Sequence, residues 1–213
     1  MMVLPLVAIL VLEARPYQMA IIGGASSASG LAFGLIAGSW IDRTKRRLVL
    51  AITDLLQSLS IASLAVAYFV FELHIEHLYA VAFINGSLGI FNEVANRAYM
   101  PSLVGRDRLL EANAKMGAAD SVAEQIGFSV GGFIAQLASA ISASIVQAVT
   151  FTISGILILL IRRREPEPVK PDQNSNIRSE IMEGYRFIAG NQILLLIAIS
   201  STIVSVSGGI IGG

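Results

Sequence analysis

Apolar residues in this chain come in runs too long for the core helices of a soluble domain. Tyr17–Ile41 and Leu48–Phe71 each exceed the roughly 20 residues a helix needs to cross about 30 Å of hydrocarbon. His77–Tyr99 and Glu111–Ala138 predict a fourth and a fifth spanning helix, and Ile145–Ile161 a sixth that begins near Ile141. Met1–Leu12 is apolar but only about 18 Å long as a helix, with no positive n-region or small-residue cleavage site. It reads as the back half of a first spanning helix whose start precedes this sequence. Gln192–Ile211 begins a seventh. Between the sixth and seventh, Arg162–Asn176 holds three consecutive arginines and three prolines, the composition of a linker. Asn176–Ala189 places Ile177, Ile181, Tyr185 and Ile188 on one side of a short amphipathic helix. The expected organisation is therefore a transmembrane bundle over 1–161, a linker with an amphipathic helix over 162–190, and the start of a second bundle over 191–213.

Polar positions inside these runs are not scattered. In the second helix Gly30, Gly34 and Gly38 recur every four residues, with Gly23 and Ser27 extending the stripe. Such stripes let helices approach closely in lipid. The third helix carries Asp54, Gln57 and Ser58 on one side. The fourth carries Asn85, Gly89, Asn92 and Asn96 at helical spacing, with Gly86, Glu93 and Arg97 one position round. Lipid does not tolerate such a stripe, so it must face protein or a water-filled cavity. In the fifth, Asn113, Gly117, Asp120, Glu124, Gly127 and Gly131 share one narrow face. Measured by helix rise from Lys115, Glu124 lies about 13 Å along that helix and Asp120 about 7 Å. A charge at such depth costs at least about 2.5 kcal/mol unless it is paired or protonated.

Composition agrees with the runs. The 213 residues are 54% hydrophobic and 14% charged, with a mean hydropathy of +0.71; a soluble domain carries about 25% charged residues. This is an integral membrane protein of the all-α class. The net charge of zero conceals a segregation: of 15 Lys and Arg, only Arg15 falls outside the loops after the second, fourth and sixth helices or their flanks. By the positive-inside asymmetry those loops are cytoplasmic. The absence of cysteine excludes disulfides, thiolate metal sites and Cys nucleophiles. His74 and His77, beside Glu72 and Glu76, read as a wet interhelical loop rather than a metal site. No phosphate-binding loop of a primary pump is present, and no intramembrane enzyme motif. No cofactor, metal or nucleic-acid partner is expected.

The loop Gly38-Ser39-Trp40-Ile41-Asp42-Arg43-Thr44-Lys45-Arg46-Arg47 resembles the loop between the second and third helices of the major facilitator superfamily of secondary transporters, Gly-x-x-x-Asp-Arg-x-Gly-Arg-Arg. The segment from Arg97 to Ala114, with Pro101, Leu103, Val104, Leu109, Ala112 and Asn113, is similar to the macrolide-efflux and enterobactin-exporter-like branch. Gly127-Phe128-Ser129-Val130-Gly131-Gly132 is similar to the glycine-rich fifth-helix motif of exporters. Lys45 stands where the family's loop has Gly, and Phe128 where its exporter motif has Pro. The resemblance implies a major-facilitator-like bundle with six or seven of twelve spanning helices present, the other half missing. It implies export of a small amphiphilic molecule across the plasma membrane by alternating access, with protons as candidate coupling ions. Gly38, Asp42, Arg43, Lys45, Arg46 and Arg47 would form a conformational latch. Asp42 ends one helix and Arg46 and Arg47 begin the next, placements that oppose the helix dipoles and so call for partners elsewhere. Asp54, Glu93, Arg97, Asp120 and Glu124 are the candidate coupling and charge cluster; Gly30, Gly34, Gly127, Gly131 and Gly132 are the expected packing glycines. The competing readings are a non-transporting receptor or scaffold on the same fold, or an inactive fragment.

Overall fold

The computed structural model describes residues 3–105 and 108–161 together with Gly190, Asn191, Leu196 and Ser200. Most of the expected linker, the amphipathic helix and the seventh spanning helix lie outside the described residues. Six helices follow in order: α1 Val3–Leu10, α2 Pro16–Ile41, α3 Arg46–Val70, α4 Ile75–Val104, α5 Leu109–Leu137 and α6 Ala140–Leu160. There is no strand among the described residues.

The helix ends have local causes. Pro16 occupies the first turn of α2, where its missing N–H costs nothing. Gln18 Oε1 accepts the Arg15 backbone N–H at 2.7 Å. Ser139 caps α6, its Oγ accepting from the Ser142 N–H at 3.0 Å. One boundary differs from the sequence reading. Met100–Val104, expected in a cytoplasmic return, continues α4 through Pro101. The helix stops at Gly105, whose φ of +79° suits a residue without Cβ.

α2 packs along α4, and α3 lies between α4 and α6. The apolar core has two parts. One, at the end of the bundle away from the basic loop, joins Val7, Ile22, Leu64, Leu78 and Ile141 from five helices. The other, beside the basic loop, joins Ala37, Ile41, Leu50, Ala95 and Tyr99. Buried polar side chains, among them Ser29, Asp54, Gln57 and Asn85, lie between them.

Close approach is provided by glycines other than those expected. A Cβ on Gly86 of α4 would lie 2.8 Å from the Ser26 carbonyl oxygen of α2, and one on Gly155 of α6 would lie 3.2 Å from the Ala51 carbonyl oxygen of α3. Of the predicted packing glycines, Gly30 has one neighbour, Ile90 at 3.5 Å, while Gly34, Gly127, Gly131 and Gly132 have open space around the Cβ position. Which face meets a helix depends on the bundle's arrangement, and α5 makes few contacts within it.

Candidate functional site: a basic turn and a buried polar seam

The turn between α2 and α3 is compact. The Asp42 N–H donates to the Gly38 carbonyl at 3.2 Å, closing the last turn of α2. Thr44 Oγ1 donates back to Trp40 O at 3.2 Å. Lys45 leads into α3 with φ −73°, an ordinary extended backbone, so the turn does not need glycine at that position. Arg46 Nη2 lies 3.7 Å from Asp42 Oδ1, a loose pair in which the Asp42 side chain is 69% exposed and Arg46 20%. Such a pair is worth at most about 1 kcal/mol.

Arg47 has a different task. Its Nη2 donates to the Leu159 carbonyl at 2.7 Å, in the last turn of α6. The charge that opposes the dipole of its own helix sits on the negative end of another, where last-turn carbonyls lack intrahelical partners. The anti-dipole placement of Arg47 thus has a structural cause besides any latch. Arg47→Ala should lower stability by about 1 kcal/mol and the unfolding midpoint by about 2–4 °C, read by thermal unfolding in mild detergent; Arg47→Lys should lose less.

About two turns along α3 from this basic turn begins the polar seam. Asp54 of α3 is 5% exposed. Asn92 Nδ2 of α4 donates to its Oδ1 at 2.7 Å, and Ser154 Oγ of α6 donates to its Oδ2 at 2.6 Å. The same Asn92 amide reaches Thr53 Oγ1 at 2.9 Å. One turn further along α3, Ser58 Oγ donates to the Ala148 carbonyl and meets Thr152 Oγ1, each at 2.7 Å. Both oxygens of one carboxyl are thus held by two different helices. This ties α3 to α4 and α6 with no cation in ion-pair contact with Asp54 among the described residues.

The five acids and bases expected as one cluster are therefore dispersed. Arg97 Nη2 pairs with Glu93 Oε1 at 2.5 Å, one turn apart on α4, both exposed. Asp120 and Glu124 lie on α5, exposed and joined neither to that pair nor to Asp54. The single charge cluster spanning Asp54, Glu93, Arg97, Asp120 and Glu124 is not formed, because α5 packs little against α3 and α4. Sequence reading found Asp54 and Asn92 but missed Ser154 and Thr53. The available signal was Ser154-Gly155 in an otherwise apolar run, a small polar pair of the kind used at helix contacts in lipid. Among the described residues no group of His, Asp and Glu could hold a metal ion.

Three stretches among the described residues are long and apolar enough to cross a membrane: α3, Ile75–Pro101 of α4, and α6. The family model of the Major Facilitator Superfamily matches residues 1–212. The multidrug efflux pump Tap of Mycolicibacterium fortuitum is 28% identical over 172 residues, covering 78% of this chain and 42% of that protein. The chain thus spans less than half the length of this curated relative. No solved structure matches. The helical membrane fold, the basic turn and a family match over nearly the whole length agree: the chain belongs to the Major Facilitator Superfamily.

Proposed function

We propose that this chain forms the first half, and the beginning of the second, of a secondary active exporter of small amphiphilic molecules in the plasma membrane. Residues 1–161 are one transmembrane bundle, 162–190 a cytoplasmic linker and 191–213 the start of a second bundle. The whole protein has twelve spanning helices and works by rocking of its two halves about a midplane site. The loops after the second, fourth and sixth helices face the cytoplasm.

The observation that carries this reading is the state of α5. It presents Asp120 and Glu124 in mid-helix with no hydrogen-bond or ion-pair partner among the described residues. Unpartnered carboxylates in a membrane helix need a wall that this bundle does not supply, or a watery passage. A second half-bundle facing α5 supplies both. The loose Asp42–Arg46 pair fits a latch, since a contact of that strength is easily exchanged for another in the alternate state. The efflux activity named for the curated relative agrees with export.

Glu124 is the proposed coupling residue. In energised inverted vesicles, Glu124→Gln in the whole protein should cut ethidium accumulation at least tenfold, about 1.4 kcal/mol of coupling, while the amount inserted in the membrane stays the same. Unchanged accumulation by Glu124→Gln removes Glu124 from the mechanism. No ethidium transport by the unsubstituted protein, with other amphiphilic cations also failing, favours the receptor or scaffold reading.

A further inference from the structure

A groove opens beside the basic turn, and the transport reading assigns it no occupant. The groove has a volume of about 620 Å³ and runs between the end of α2, the first half of α3 and the middle of α4. Ile36 and Trp40, Leu48 and Ile52, and Phe91 line it, with Lys45 at the loop end. Trp40, Leu48 and Ile52 are all exposed. Trp40 stands edge-on to Phe91 with ring centroids 5.6 Å apart, so the wall is braced by an aromatic contact rather than by loose side chains.

Two features say what fills it. The first is the apolar lining, which in an integral membrane protein faces acyl chains, and whose size falls within the range of ligand-binding clefts. The second is Lys45. Arg46 and Arg47 are engaged with Asp42 and with the end of α6, whereas Lys45 is exposed and in no ion pair among the described residues. Its apolar stem can lie along the groove while the ammonium reaches the headgroup level. A tryptophan and a lysine at the same level are the usual anchors of a membrane interface. Lys45 also stands where the resembled loop has glycine, so the cation at this mouth is a feature of this chain.

We propose that the groove holds an acyl chain of an anionic phospholipid, with the phosphate on the Lys45 ammonium. One cation at such a surface is worth about a five-fold preference for an anionic over a zwitterionic lipid.

Trp40 is the one tryptophan in the sequence and so reports on its own groove. The experiment reconstitutes the protein with increasing mole fractions of bromine-labelled phosphatidylglycerol or bromine-labelled phosphatidylcholine and reads quenching of Trp40. Half-quenching should need about five-fold less phosphatidylglycerol than phosphatidylcholine. Lys45→Gln should bring the two curves together, Lys45→Arg should keep them apart, and Ile52→Phe, which narrows the groove, should weaken quenching by both lipids. Equal quenching by the two lipids in the unsubstituted protein would overturn the proposal. So would a preference that survives Lys45→Gln, which would assign it to the loop's general charge. Absence of quenching by either lipid also overturns it, since protein then covers the groove.

Discussion

Replacing Asp54 with Ala should lower the stability of this bundle by about 2–3 kcal/mol. Interhelical hydrogen bonds in membrane proteins average about 0.6 kcal/mol and reach about 1.7; Asp54 accepts two, at 2.7 and 2.6 Å, from different helices. Taken alone, the pair is therefore worth between about 1.2 and 3.4 kcal/mol. The upper half of that range applies because the site is buried: truncation leaves the Ser154 hydroxyl without its acceptor and half of the Asn92 amide's bonds unmade. Asn92 keeps Thr53 Oγ1 as a partner, which limits the loss. Asp54→Asn retains a carbonyl acceptor of the same shape and should lose about half as much. Denaturant titration of the purified protein in mild detergent, followed by circular dichroism, checks both. If Asp54→Ala and Asp54→Asn unfold at the same midpoint as the unsubstituted protein, the seam does not hold the helices together.

The second large effect is a steric one. An alanine at Gly86 would put its Cβ 2.8 Å from Ser26 O and 2.9 Å from Ser26 Cα, distances real Cβ atoms do not show. The Ser29 hydroxyl nearby can rotate, but the α2 backbone cannot move without parting α2 from α4, so the cost should be about 2–3 kcal/mol, in the upper range for overpacking. Gly155→Ala meets Leu55 side-chain carbons at 3.1 and 3.2 Å and the Ala51 carbonyl at 3.2 Å. Leu55 can yield by a few tenths of an ångström and the carbonyl contact is only slightly tight, so the cost should be about 1 kcal/mol, the lower end for overpacking. Gly127→Ala meets nothing within 4 Å; it gains up to about 1 kcal/mol of helix propensity. The order of unfolding midpoints, Gly127→Ala highest, then Gly155→Ala, then Gly86→Ala, is the result to look for. A Gly86→Ala midpoint equal to that of Gly155→Ala would mean that α2 and α4 are not in backbone contact.

Much of this protein is legible before any coordinates. Hydrophobic run lengths located α2 through α6 to within a few residues, because in lipid every backbone polar group must be satisfied inside its own helix. The one sizeable boundary difference is at Met100–Val104, beyond the expected end at Tyr99, where α4 continues through Pro101. The basic turn was legible too, because its charges adjoin in sequence. Buried Asp54 and half-buried Asn92 stood out as polar groups at helical spacing in apolar runs.

What the sequence by itself determined is everything that depends on neighbours along the chain: helix existence and length, the membrane class, the turn chemistry and which faces are polar or small. Only the tertiary structure decided which faces meet. It placed Ser154 against Asp54 from 100 residues away, put Arg47 on the end of α6, made Gly86 and Gly155 the close contacts in place of Gly127 and Gly131, and left Asp120 and Glu124 apart from Arg97. The reason is that a helix fixes its own hydrogen bonds locally, while partnership between helices is set by packing of side chains distant in sequence, for which periodicity supplies a direction but no address.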